Sequence, residues 1–306
     1  MARSYQNLDT DHSQPPAVRS LRELVEWAEA RLAAAPLTYG HGTDNPRDEA
    51  VWLAASAAGL SPVDPDLDPD YPVSAEATQR AARLVERRIV EQDPVAYLTG
   101  RAWFAGLEFQ VDARALVPRS PLAEPIAERF APWVGERSVE RILDIGTGCG
   151  CIAIACAYAF PEARVHASDS DTDALALAAE NVRRHGLAER VELFEADVFE
   201  GLPPGRYDLI VSNPPYVDED AMATLPAEYR REPAHALAAG PKGLDVVDRI
   251  VSGAAERLRT DGVLVVEVGR AAAELQRREP QRHWLWLDFA HGGEGVFLLT
   301  ADQVAP

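Results

Sequence analysis

Four short apolar runs in the second half of the chain end abruptly in residues that a buried strand does not carry. Arg141-Ile142-Leu143-Asp144-Ile145 empties into Gly146-Thr147-Gly148-Cys149-Gly150, and residues 163–168 into Asp169. The run from Val191 ends in Asp197, and Tyr207-Asp208-Leu209-Ile210-Val211-Ser212 in Asn213-Pro214-Pro215-Tyr216. Helical patterns separate the first three runs. One covers residues 151–160 and stops at Pro161; the other is capped by Asp171 or Thr172, carries Leu175, Ala178, Ala179 and Val182, and ends at Gly186. Strands alternating with helices predict a doubly wound α/β sheet whose strand exits gather along one edge, where such sheets bind ligands.

The chemistry of the exits narrows the ligand. Gly146, Gly148 and Gly150 allow a ligand close to the backbone, a signal shared with dinucleotide binders and weak alone. Asp169 stands about 25 positions after Asp144, the place of a carboxylate that holds ribose hydroxyls, and Asp197 is placed for an adenine amino group. Either is alternatively a plain turn residue. Asp144, directly before the glycines, argues against a pyrophosphate and for a cationic ligand. Pro214 and Pro215 supply no backbone donor and fix φ, so the last exit presents acceptors to a planar NH2 group. A nucleobase, an amide or a merely rigid turn all satisfy that geometry.

The first hundred residues read differently. Residues 1–16 are polar and aperiodic, as in a mobile tail, and lack the apolar stretch of a secretory signal. Ser20-Leu21-Arg22-Glu23 is a capping box opening a helix with Leu21, Leu24, Val25, Ala28 and Leu32 on one face. Further helices are expected from Asn45-Pro46 to Gly59 and from about Ser74 to Gln92, giving a small bundle. Residues 95–100 and 103–111 read as two short strands around a turn, and residues 121–133 as a helix. Arg119 and Glu124 read as surface or junction residues, unless the second domain places its ligand there. Glu267, inside the apolar run from Gly262 to Val268, has no assigned role.

Length and charge exclude several classes. At 306 residues two domains are expected, and a net charge of -19 opposes tracking of nucleic-acid phosphates while suiting a basic protein partner. No apolar stretch is long enough for a membrane helix, which predicts a cytoplasmic protein. Cys149, Cys151 and Cys156 lie close together without partners for a disulfide framework or zinc site, so no metal is expected.

Asp144-Ile145-Gly146-Thr147-Gly148-Cys149-Gly150, Asp169, Asp197 and Asn213-Pro214-Pro215-Tyr216 together resemble the class I S-adenosylmethionine-dependent methyltransferases that modify planar amino groups. The helical start, Tyr97-Leu98-Thr99-Gly100 and Glu228-Tyr229-Arg230-Arg231-Glu232-Pro233 are similar to the protein-glutamine methyltransferases among them. Val117-Pro118-Arg119-Ser120-Pro121, residues 151–161 and Gly292-Gly293-Glu294-Gly295-Val296-Phe297 resemble the branch acting on the third large-subunit ribosomal protein. The release-factor branch tends to carry a threonine after Pro-Arg-Pro that this chain lacks.

The resemblance implies a seven-stranded Rossmann-like domain with a small N-terminal helical bundle and a linking β-hairpin. The implied division is a tail at 1–16, a substrate-recognition bundle at 17–93, a hairpin linker at 94–120 and a methyltransferase domain at 121–306. It further implies S-adenosylmethionine held by Asp144, Gly146, Thr147, Gly148, Gly150, Asp169, Asp197 and Asn213, with Phe104 reaching over it. Asn213 and Pro214 would accept the two hydrogens of a glutamine amide while Pro215 and Tyr216 shape the slot. The implied substrate is the ribosomal protein before or during ribosome assembly. The alternatives are a release-factor enzyme, a DNA adenine methyltransferase, which the acidic charge opposes, and a ribosomal-protein binding module without catalysis.

Overall fold

The computed structural model describes residues 17–134, 137–290 and 292–304, so the expected tail at 1–16 lies outside the described residues. The chain divides into two units between Thr99 and Gly100.

The first unit contains α1 (Leu21–Ala33), α2 (Pro46–Ala58), α3 (Ala75–Val90) and α4 (Val95–Thr99). Local chemistry sets the helix ends. The Ser20 hydroxyl accepts from Glu23 N, while the Glu23 carboxylate reaches back one residue further than a capping box requires, to Arg19 N at 2.7 Å. Asn45 accepts from Asp48 N, and Gly59 ends α2 with φ 77°, a left-handed cap that favours glycine. Where residues 95–100 were expected to form a strand, they turn into α4: Pro94 starts it, its carbonyl accepting from Tyr97 N and Leu98 N. A short periodic run without an alternating solvent face did not distinguish the two.

At the centre of this unit an ion pair replaces part of the apolar packing. Arg88, fully buried, gives Nε to Glu49 Oε2 at 2.8 Å and Nη2 to Oε1 at 3.3 Å, and Nη2 also meets the Thr38 carbonyl at 2.9 Å. Burial raises the Glu49 pKa even against the lowering effect of Arg88.

The second unit opens with a hairpin, β1 (Arg101–Phe104) and β2 (Leu107–Gln110), turned by Ala105 at φ 50° and Gly106 at φ 76°. Two left-handed turn residues match the right-handed twist of the strands. The hairpin is thus shorter than expected and contained within this unit. The helix expected over 121–133 is confined to α5 (Ala123–Ala127), because Arg129 and Phe130 take φ of 52° and 51°. That departure from helical geometry accompanies the burial of Phe130.

The remaining elements are β3 (Arg141–Ile145), α6 (Cys151–Ala159), β4 (Arg164–Asp169), α7 (Thr172–Arg184), β5 (Val191–Glu195), β6 (Tyr207–Ser212), α8 (Glu219–Thr224), α9 (Asp245–Arg257), β7 (Leu258–Glu267), α10 (Ala272–Arg278), β8 (Leu285–Trp286), β9 (Val296–Thr300) and α11 (Ala301–Val304). Among the described residues β3 to β9 form a seven-stranded sheet in the order β5-β4-β3-β6-β7-β9-β8. The pairs from β5 to β7 are parallel; β9 runs antiparallel to both β7 and β8.

This is the class I methyltransferase fold. Leu143, Ile145, Tyr207, Ile210, Leu264, Val266 and Phe297 are buried together in the sheet's core. Strand order reverses at β3, with β4 on one side and β6 on the other, so the crevice beyond their carboxyl ends is where a ligand fits.

Removing one partner of the buried pair strands the other, which typically costs about 3–5 kcal/mol. Glu49→Ala should therefore lower unfolding stability by about that amount in urea titration. A loss below about 1 kcal/mol, the level of an exposed pair, would contradict this account of the bundle's centre.

Candidate active site

A cavity of about 220 Å³ lies within the second unit at the predicted edge, lined by Gly146, Thr147, Gly148, Asp169, Asp197, Asn213, Pro214 and Pro215 among others. The three glycines of its first loop take φ of 70°, 54° and 85° at Gly146, Gly148 and Gly150. Such values strain any other residue. A Cβ on Gly150 would also come within 3.3 Å of Ala178 Cβ, so this glycine sets how closely the loop packs on α7. A Cβ built on Gly146 would lie 4.0 Å from the Asn213 carbonyl oxygen, which puts the loop against the Asn-Pro-Pro-Tyr turn.

Asp169 ends β4 and holds the loop in place. Its Oδ2 accepts from Gly148 N at 2.9 Å and its Oδ1 from Asp171 N at 3.0 Å, while burial raises its pKa. Asp171 caps α7 and pairs with His235 at 2.8 Å. Asp197 also faces the cavity, but its Oδ1 is engaged by Arg249 at 2.8 Å, and that ion pair lowers its pKa. Asn213 follows β6 and lines the cavity; no hydrogen bond joins its side-chain amide to another described residue.

Four predicted residues stand away from the lining. Asp144 is completely buried beneath the loop: Oδ2 accepts the Thr147 hydroxyl at 2.6 Å and Ala153 N at 3.1 Å, and buried Oδ1 has no hydrogen-bond partner among the described residues. Burial pushes its pKa up to about 7. Gly150 serves as the N-cap of α6. Tyr216 turns its hydroxyl to Glu267 at 2.7 Å. Phe104 is buried in the hairpin, 4% exposed, and contributes nothing to the cavity wall.

Sequence reasoning passed over several supports. Asn181 of α7 is fully buried, accepts Gln110 N at 2.8 Å, and donates to the carbonyls of Gln110 and Cys149, both at 2.9 Å. One amide thereby ties the hairpin to the glycine loop. Its place on the buried face of α7 was a signal that could have found it. Glu232 accepts from both terminal nitrogens of Arg119, at 2.6 and 2.7 Å, and from Val117 N at 2.9 Å, while Arg119 also stacks over Tyr229. Arg119 is therefore a cavity-lining residue held by a buried carboxylate, rather than a surface residue. Glu124 accepts from Ala290 N. The three cysteines are buried and free of disulfides, and among the described residues no cluster suits a metal ion.

Residues 129–240 match the family model for the methyltransferase small domain, and residues 23–100 match the PrmC N-terminal domain. The ribosomal protein uL3 glutamine methyltransferase of Bordetella pertussis is 46% identical over 290 residues, spanning 94% of this chain and 97% of that one. The chain belongs to the uL3 glutamine methyltransferase family. The family's enzyme from Xylella fastidiosa is likewise 46% identical, over 94% of this chain and 92% of its own, and that of Francisella tularensis is 39% identical with the same shares. In this member of the family, the matched small domain carries the glycine loop, Asp169, Asp197 and Asn-Pro-Pro-Tyr in one stretch.

The Asp144 carboxyl gives the fold a specific pH dependence. Its pKa rises from about 3.9 in the unfolded chain to about 7 in the fold, so folding favours the protonated form. Its contribution is fully present below about pH 4 and is lost as pH rises toward 7, with a slope of at most about 1.4 kcal/mol per pH unit. Asp144→Asn should remove that component, flattening the dependence between pH 4 and 7 in denaturant titrations at several pH values. Parallel curves for the two proteins would show that Asp144 does not titrate in this way.

Proposed function

We propose that this protein transfers a methyl group from S-adenosylmethionine to the side-chain amide nitrogen of a glutamine in ribosomal protein uL3, acting in the cytoplasm before or during ribosome assembly. The observation that carries the reading is the contact between glycine loop and Asn-Pro-Pro-Tyr turn, which puts a cofactor cradle beside a group of hydrogen-bond acceptors. Near-full-length identity to the uL3 enzymes supports the substrate.

Several features fit the cofactor. The left-handed glycines leave three of the loop's five positions without side chains, and Asp169 and Asp197 offer carboxylates to hydroxyl and amino groups. When bound, the cofactor supplies an electrophilic methyl group on a sulfonium sulfur. Gly146, Thr147 and Gly148 would form the floor of its site, Asp169 would hold the ribose hydroxyls, and Asp197 would accept from the adenine amino group with the oxygen that Arg249 leaves available. Asp144 and Gly150 act from behind the loop, by fixing Thr147 and the start of α6.

An amide nitrogen is a weak nucleophile because its lone pair is delocalised into the carbonyl. The Asn213 side-chain oxygen and the Pro214 carbonyl accept its two hydrogens, which orients the planar NH2 group and favours electron density on nitrogen. Each such hydrogen bond contributes about 0.5–1.5 kcal/mol net, whereas alignment of reacting groups is worth about 7–11 kcal/mol in favourable cases. Positioning therefore outranks acid-base catalysis. Pro215 bounds the slot, and Tyr216 shapes it from behind the lining. A basic ribosomal protein free of its RNA suits a chain with a net charge of -19.

Asn213→Ala should bind the cofactor with affinity near the native value and lose methyl transfer to purified uL3 by about 100-fold or more, read by calorimetry and by mass spectrometry of the modified glutamine. Native turnover by the variant would sink the role given to Asn213. Asp169→Ala should instead weaken cofactor binding itself, by about tenfold or more. Faster methylation of a release factor than of uL3 by the native chain would transfer the function to that substrate.

A further inference from the structure

We propose that Glu267 is a positioning residue for methyl transfer, clamping Tyr216 and Ser120 together so that the wall of the amide slot keeps one shape. The inference rests on the function proposed above, since the slot has meaning only if an amide enters it.

Glu267 is the last residue of β7 and is 5% exposed, at the end of a run in which Val263, Leu264, Val265 and Val266 are buried. A carboxylate placed there loses its water and must be compensated by donors within the protein. Both its oxygens are. Oε1 accepts the Tyr216 hydroxyl at 2.7 Å and Oε2 accepts the Ser120 hydroxyl at 2.5 Å.

Those donors belong to different segments. Tyr216 closes the Asn-Pro-Pro-Tyr turn, and Ser120 lies in the stretch around Arg119 that lines the cavity; its oxygen also accepts from Leu122 N at 3.1 Å. A single side chain at a strand end thus couples two walls. Shifting either wall forces the other to move or leaves a buried oxygen unpaired.

Packing leaves the Tyr216 ring little freedom to find another partner. A Cβ on Gly269 would stand 2.7 Å from Tyr216 Cε2, so the ring lies directly against bare backbone. That backbone is itself pinned: Val268 N and Gly269 N donate to the Gly295 carbonyl at 2.7 and 3.1 Å. Gly293 in the same turn adjoins Pro121, where a Cβ would come within 2.5 Å of the proline ring. The glycine turn at 292–295 and the stretch at 117–121, both of which carry the resemblance to the ribosomal-protein branch, therefore meet around Glu267 and Tyr216. Through these contacts, segments that do not bear the Asn-Pro-Pro-Tyr motif reach the slot.

The test is a double-mutant cycle in the full chain, with kcat and KM for uL3, cofactor Kd and melting temperature measured for each variant. Tyr216→Phe and Glu267→Gln should each lower kcat by about tenfold, the scale of one buried hydrogen bond, with cofactor Kd within about twofold of native. The double variant Tyr216→Phe with Glu267→Ala should be no slower than Glu267→Ala alone, because Glu267→Ala already removes the acceptor of the Tyr216 hydroxyl. Glu267→Ala, which leaves both hydroxyls without an acceptor, should be slower than Glu267→Gln, so that the amide partly rescues. Multiplicative losses in the double variant overturn the inference, as does native kcat in Glu267→Gln. A parallel fall in kcat, cofactor affinity and melting temperature also overturns it, because that pattern belongs to a purely structural residue. A native chain that leaves uL3 unmodified overturns the function reading and this inference with it, whereas an active native chain with multiplicative losses overturns the inference alone.

Discussion

Carboxylates buried or half-buried at the ends of parallel strands shape the working edge of this protein, because each must find donors as its water is lost. Asp144 on β3 is satisfied at one oxygen by Thr147 and Ala153, and Asp169 on β4 by the amides of Gly148 and Asp171. Glu267 on β7 is satisfied by two hydroxyls, and Glu232, in the loop after the motif, by Arg119 and Val117. Apart from Ala153 N in α6, each donor lies on a loop rather than in the sheet. The sheet's rigidity thus passes into segments that would otherwise have only turn chemistry to hold them.

The same constraint ranks the parts of the site. Among the residues that line the cavity, polar side chains such as Asp169 and Asn213 stand beside apolar ones such as Ile145, Ile152 and Val246. Behind them stands a set of fully or nearly buried polar side chains, Asp144, Asn181, Glu232 and Glu267. The overall acidity of the chain does not explain these four, since surface charge serves solubility and partner attraction while buried charge costs stability unless paired. Their placement is explained by the loops they hold.

Much of this was legible in the residues. The strand exits at Gly146, Asp169, Asp197 and Asn213 were readable because apolar runs change character sharply where a buried strand leaves the core, and the three N-terminal helices carry explicit caps at Ser20, Asn45 and Ser74. Residues 95–100 were misjudged because a run of six has no periodicity long enough to separate strand from helix. The extent of α5 was misjudged because the backbone reverses at Arg129 and Phe130, residue types that give no turn signal. Glu267, Glu232 and Asn181 were invisible as a group for a different reason. Their partners lie 51, 113 and 71 residues away in the chain, at Tyr216, Arg119 and Gln110, and no local pattern encodes such pairings.

The position of Asp144 under the first turn of α6 bears on ligand discrimination. The amides at a helix N-terminus after a glycine loop are the place where related folds seat a diphosphate. Here Ala153 N already points to a carboxylate of the chain itself. The chain's own carboxyl, buried beneath the loop, takes up one of those amides, so an incoming phosphate would find one donor fewer at the helix start. A residue on the strand that precedes the loop in this way sets how many free donors the start of α6 has left to offer.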